Sequence, residues 1–176
     1  MKRIMLFFIL LCILNSYAQS EYENETEEKE LKNEVIFEFG FTHIPKAFEE
    51  GKLEESLFVP TIGVGYYREI TATWSLGMVL DLELADYLVP FGREDLERDR
   101  AFILAVLAGY SFAKNWNIIA GPAIEFEKNK NLFVLRGGLE YGIELGSNWG
   151  VLTSFVYDFK EEYGTWGLNI GVSRKF

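Results

Sequence analysis

From Glu34 to Phe176, large apolar residues recur at every second position, segment after segment. The third segment is the cleanest: Trp74, Leu76, Met78, Leu80, Leu82 and Leu84 alternate with Ser75, Gly77, Val79, Asp81, Glu83 and Ala85. A β-strand turns successive side chains to opposite faces, so this period specifies a sheet with one apolar face and one small or polar face. About eight such segments follow one another, each of roughly ten to twelve residues, the length a tilted strand needs to cross a bilayer core. The expected fold is all-β.

The first segment sets Val35, Phe37, Phe39 and Phe41 on the apolar face, and the second sets Pro60, Ile62, Val64 and Tyr66 there. The fifth runs from Trp116 to Phe126, the sixth from Phe133 to Ile143, the seventh from Trp149 to Phe159 and the eighth from Trp166 to Val172. The fourth, "RAFILAVLAGYSF", is apolar on both faces up to Gly109, so its parity stays open. The connections differ by side. "REITAT", "AKN" and "GSN" are short, whereas Pro45 to Ser56 and Asp86 to Asp99 form long connections on the opposite side, with "KNKN" and "EEYG". One tight-turn end and one loop-bearing end is the arrangement of membrane barrels. After each of three short turns stands a tryptophan: Trp74, Trp116 and Trp149. Indole rings suit the boundary between hydrocarbon and wet headgroups, so these three are expected to form an interface girdle.

Period two alone does not say which face is inside, because a soluble calyx has the same pattern turned inside out. Glycine decides it. Gly40, Gly63, Gly65, Gly77, Gly109, Gly121, Gly138, Gly142, Gly150, Gly167 and Gly171 all lie on the non-apolar face. Glycine weakens a water-facing strand, but it fits where the opposing walls of a narrow barrel crowd together. The expectation is an eight-stranded, antiparallel, up-and-down transmembrane β-barrel over residues 34–176, with its apolar face in lipid.

The first 18 residues read as a signal peptide: Lys2 and Arg3, then the apolar run Ile4 to Ile13, then Ser16-Tyr17-Ala18 before a cut. That run is far short of the ~20 residues of a spanning helix. Residues 19–33 are rich in glutamate without apolar period, and read as an acidic disordered tail on the periplasmic side. Cys12 is the only cysteine and lies in the leader, so the remaining chain has no thiolate chemistry. The chain carries a net charge of -10, and removing Lys2 and Arg3 makes it two units more negative. Such acidity excludes a nucleic-acid partner, whose phosphates need a basic footprint. One histidine and no further cysteine imply no metal and no cofactor.

The closing stretch adds a further signal. Leu168, Ile170 and Val172 alternate toward the terminal Phe176. With the leader and the strand count, this chain resembles small bacterial outer-membrane β-barrel proteins of the OmpA, OmpX and OmpW type across residues 34–176. The resemblance implies that Leu168, Ile170, Val172 and Phe176 serve as the assembly signal read by the barrel assembly machinery. It also implies a monomer in the bacterial outer membrane, among lipid and lipopolysaccharide. Arg174 departs from the pattern, since an aromatic or aliphatic residue is usual two places before the end. On parity it is expected at the periplasmic rim, where a long cation reaches the headgroups.

A barrel of about eight strands is filled by its own side chains, and open diffusion pores need about sixteen. The inward parity collects Glu38, Asp81, Glu83, Glu125, Glu127, Arg136, Glu140, Glu144, Asp158 and Lys160. Charges enclosed this way must be paired or hydrated. Arg136 is the one guanidinium expected near the middle, with Glu38, Asp81, Glu125 or Glu140 as its partners. The function expected from this inventory is structural or surface-interactive. A narrow channel, in which Arg136 exchanges carboxylate partners, is the alternative. A second alternative, acyl chemistry on lipid A, rests on His43 and Ser56, but Ile44-Pro45 follows the histidine and no His-x-Ser spacing is present. The long loops, with Phe48, Phe91, Arg93 and Arg98 among acidic residues, are the expected interaction surface.

Overall fold

The computed structural model describes residues 32–48, 56–91, 94–128, 130–161 and 163–176. The expected signal peptide and most of the expected tail lie outside the described residues. Asn33, taken as the end of that tail, already pairs with Arg68 in the sheet.

Eight strands close a barrel: β1 (Asn33–Pro45), β2 (Ser56–Glu69), β3 (Trp74–Glu83), β6 (Phe102–Ala113), β7 (Trp116–Phe126), β8 (Leu132–Gly146), β9 (Trp149–Lys160) and β10 (Gly164–Lys175). Each pairs antiparallel with its neighbours, and β1 closes the ring against β10. At the seam Asn33 and Phe176 exchange both backbone bonds at 2.9 Å. The Asp86–Asp99 connection is not the loop the sequence predicts. It folds into β4 (Asp86–Phe91) and β5 (Glu94–Asp99), a separate two-stranded sheet between β3 and β6.

Local chemistry places the tight turns. Between β8 and β9, Ser147 and Asn148 hold φ of 50° and 67°, the left-handed pair that suits a two-residue hairpin. Gly146 precedes them at φ 90° and forms a bulge, across which the register slips between Glu144 and Gly146. Between β2 and β3, the Thr71 hydroxyl accepts the Trp74 N–H at 2.9 Å.

The apolar face is outside. Phe37 is 63% exposed and Ile170 60%, whereas Arg136 and Glu125 are buried. No soluble monomer carries an apolar belt that encircles it. In hydrocarbon the belt is stabilising, and no backbone group is left over because the sheet has no edge. The fourth segment resolves with Phe102 and Val106 outward and Ile103, Ala105 and Leu107 inward.

The interior is not purely polar. Ile36, Tyr67, Val79, Leu107, Ile119 and Leu152 belong to an apolar cluster that reaches Ile103, opposite Asp81, and Val134, opposite Lys160. The glycines serve a different purpose from the one expected. A Cβ at Gly77 would run into the ring of Tyr67, its cross-strand partner, and one at Gly63 into the carboxylate of Asp81, also its partner. Glycine here makes room for the side chain of the adjacent strand, not for the opposite wall.

Candidate functional site: the charged lumen and its hairpin cap

Two charged clusters stack inside the barrel. In the first, Arg136 on β8 holds Asp158 on β9 in a fork, with Nε 2.7 Å from Oδ1 and Nη2 2.8 Å from Oδ2. Its Nη1 donates to Asp81 on β3, three strands along the ring on the other side. The bond to Asp158 follows from register, since the two residues are cross-strand partners. The bond to Asp81 bypasses β6 and β7 and ties two parts of the wall together. Planar guanidinium–carboxylate forks are among the stronger charge-assisted bonds, and burial makes them exclusive.

Of the expected Arg136 partners, only Asp81 is found. Glu38 instead accepts the Ser154 hydroxyl at 2.7 Å, and Glu140 accepts the Asn117 amide at 2.8 Å. Glu125 belongs to the second cluster. There Lys160 lies 2.5 Å from Glu125 and 3.5 Å from Glu83, and Arg98 lies 2.7 Å from the other Glu125 oxygen. All four side chains are fully buried. Two cations meet two carboxylates, which satisfies the requirement that enclosed charge be paired.

Arg98 comes from the hairpin, not from the barrel wall. It also donates to the Lys130 carbonyl at 2.5 Å and stands 3.4 Å from Glu127, in the connection between β7 and β8. Its cross-strand partner Tyr87 donates its hydroxyl to Glu83 at 2.5 Å. Burial, and then the Glu83 carboxylate beside it, push the Tyr87 phenol well above its ordinary range, so it stays a donor. Beneath the hairpin, Tyr87 and Val89 pack with Ile44, Ala47 and Val59 in a second apolar cluster. The hairpin therefore closes the loop end of the barrel, and Arg98, read from the sequence as a surface loop residue, is its innermost side chain. Phe48 joins it through a backbone bridge to Leu88; Arg93 lies outside the described residues.

Beside the Arg136 cluster sits a cavity of about 10 Å³, lined by Thr42, Thr61, Asp81, Arg136, Asp158 and Thr165. That is room for a single water among polar groups. Among the described residues no group of three or more His, Cys, Asp or Glu is arranged to hold a metal ion.

On the outer face, Trp74 packs against Tyr110 and Trp116 against Tyr141, each at 4.8 Å between centroids and each a cross-strand pair. The third tryptophan, Trp149, has Arg174 as its partner, and the guanidinium lies 5.4 Å over the indole. Arg174 thus stands where a third aromatic pair would have its second ring. A guanidinium stacks on an indole as a ring does, while keeping its charge near water. Leu168, Ile170, Val172 and Phe176 are all exposed on the outer face. Glu144, expected inward, bonds Lys175 at 2.9 Å at the tight-turn end. His43 is wedged between Phe58 and Trp166, with centroids at 4.8 and 4.9 Å. Ser56 is exposed opposite Pro45 and makes no hydrogen bond with His43.

No protein-family model matches the sequence, and no curated protein matches it either. Solved structures do. The attachment invasion locus protein Ail of Yersinia pestis superposes with a TM-score of 0.52 at 12% identity, over 84% of this chain and 99% of that one. OprG of Pseudomonas aeruginosa gives 0.54 at 13%, over 82% and 96%. The N-terminal barrel domain of Pseudomonas aeruginosa OprF gives 0.50 at 15%, over 84% and 100%. At these identities the likeness is one of architecture. A closed ring of eight antiparallel strands, an outward apolar belt and an interior of paired charges give this chain the fold of the small β-barrels of bacterial outer membranes.

Proposed function

We propose that the chain is an outer-membrane barrel that seals its own lumen and holds the β4–β5 hairpin at the outer surface as an interaction platform. The single observation that carries this reading is Arg98. A fully buried guanidinium anchored to Glu125 and the Lys130 carbonyl fixes the hairpin to the mouth of the barrel. A loop that served only as a connection has no need of such an anchor.

The sealed lumen argues against the channel alternative. An ion crossing it meets the hairpin cap, the Arg98–Glu125–Lys160–Glu83 cluster, the Arg136 bridge and then the apolar cluster around Leu107 and Leu152. Exchange of partners by Arg136 leaves that apolar cluster in place, and an ion pays heavily for apolar surroundings. The stacking of His43 between aromatic rings argues against acyl chemistry on lipid A. In this reading the chain is a monomer set among lipid and lipopolysaccharide. Trp74, Trp116 and Trp149 mark one interface, and the strand ending at Phe176 is what the assembly machinery grips. Ail has been crystallised with the heparin analogue sucrose octasulfate. The exposed face of β5 here carries Asp95, Glu97 and Asp99, so a polyanion does not suit this platform.

Planar-bilayer recording tests the seal. The purified, folded chain is expected to leave conductance at the lipid baseline, and so is its Arg136→Ala variant. Discrete current steps from the unaltered chain would overturn the sealed-barrel reading, and steps appearing only with Arg136→Ala would establish the gate instead.

A further inference from the structure

One edge of β5 lies in the hairpin and the other lies outside it. Its register with β4 sets Asp86 opposite Asp99, Leu88 opposite Glu97 and Pro90 opposite Asp95. Among the described residues β5 pairs with no other strand. Which backbone groups line that outer edge follows from the far side of β4. Leu88 donates its N–H to the Phe48 carbonyl at 2.9 Å and accepts the Phe48 N–H at 3.0 Å. Leu88 therefore points both backbone groups away from β5. In an antiparallel ladder, a residue opposite such a position also points its groups outward, on its own side. Glu97 does so, and with it Asp95 and Asp99 at two-residue intervals. Pro90 fits the same alternation, because its position needs no N–H toward β5.

The residues that aim backbone groups at the open edge are thus the acidic ones. Asp95, Glu97 and Asp99 also share the exposed face of the hairpin with Asp86, while Tyr87 and Arg98 turn to the barrel. Asp86 and Asp99 face each other directly, and neither has an ion-pair partner among the described residues. Like charges opposite one another destabilise a two-stranded sheet, and a cation alongside relieves them.

From this coincidence of backbone edge and charge we infer that β5 accepts a cationic extended segment of another protein as an antiparallel third strand, with Lys or Arg at alternate positions and two of them facing Asp95 and Asp99. The inference rests on the platform reading above, since only an anchored hairpin offers a formed edge. Strand addition draws affinity from main-chain bonds and specificity from alternate side chains. A second copy of this chain is excluded as the occupant, because edge against edge would set acid against acid. Edge charge also guards against aggregation, and that role alone asks nothing of spacing or main-chain bonding.

The test uses the full chain folded in phospholipid nanodiscs and a labelled synthetic peptide of about nine residues, near ordinary strand length, with lysine alternating with threonine or valine. Saturable binding is expected, weakened as salt rises because exposed charges are screened. In the antiparallel third strand, the lysine amides face β5 and the intervening amides face away. N-methylation of the lysine amides is therefore expected to weaken binding about tenfold or more, and N-methylation of the intervening amides to leave it within about twofold. Asp95→Lys with Asp99→Lys is expected to abolish binding and to favour the equivalent glutamate peptide. Equal loss from the two methylation patterns, equal affinity for a peptide with its lysines consecutive, or no binding at all would overturn the inference. Protease resistance of the hairpin without peptide reports the platform separately. A resistant hairpin that binds nothing removes only the third strand; a hairpin cut as readily as a free loop removes the platform as well.

Discussion

Arg136 shows how far single residues can be read from a sequence and where the reading stops. Parity alone places it inside the barrel with Asp81 and Asp158, and the structure finds all three there. Its main partner escapes because of one residue on another part of the strand. Counting outward from the Ser147-Asn148 turn without a bulge sets Arg136 opposite Phe159, a lipid-facing residue; the bulge at Gly146 moves Asp158 into that place. The signal was present as a glycine just before the turn, but a glycine does not say whether it bulges. The cross-lumen bond to Asp81 depends on barrel closure, which no local pattern encodes. Removing the guanidinium leaves two buried carboxylates without their cation. Arg136→Ala is therefore expected to destabilise the barrel by about 3–5 kcal/mol, read from reversible urea unfolding in lipid vesicles. A loss below about 1 kcal/mol would mean that water or another cation satisfies Asp81 and Asp158 without the arginine.

At the scale of elements, the eight barrel strands were legible because each repeats one simple rule over many residues. The β4–β5 hairpin was not, although its signals exist. Tyr87 and Val89 alternate inward, Gly92 sits in the connection, and Leu96 and Arg98 alternate inward on the return. The return strand, however, is "EDLERD", whose charge density reads as solvated loop, and its inward position is taken by an arginine where a pattern search looks for an apolar residue. Only the acids already enclosed at the mouth, Glu125 and Glu83 with Lys160 between them, make that arginine an interior residue. Arg98→Ala tests the anchor. It leaves Tyr87 and Val89 as the hairpin's inward grip, so limited proteolysis of the folded chain is expected to cut within residues 86–99 about tenfold faster or more, as local opening becomes easier. The barrel itself is expected to stay intact. Unchanged cleavage would show that the second apolar cluster, not the buried guanidinium, holds the hairpin down.

For the whole molecule, everything turns on which face of the sheet is outside. The period, the segment length, the glycines on one face and the uneven ends point the same way, and their agreement is worth more than any one of them. Composition alone argues for the opposite: an acidic chain with a quarter of its residues charged looks like a soluble protein. The difference is one of placement, because among the described residues the charges lie in the lumen, in the connections and at the rims, and the belt between carries almost none. The molecule is built inside out, with paired charges at its centre and aromatic and aliphatic residues on its surface. Gel mobility of the protein from outer-membrane fractions, loaded unboiled and boiled, tests that architecture most directly. A closed barrel resists detergent unfolding until heated, so the unboiled sample is expected to run faster and to shift to the mobility of the full-length unfolded chain on boiling. A single band of unchanged mobility, or recovery of the chain in the soluble fraction, would contradict it.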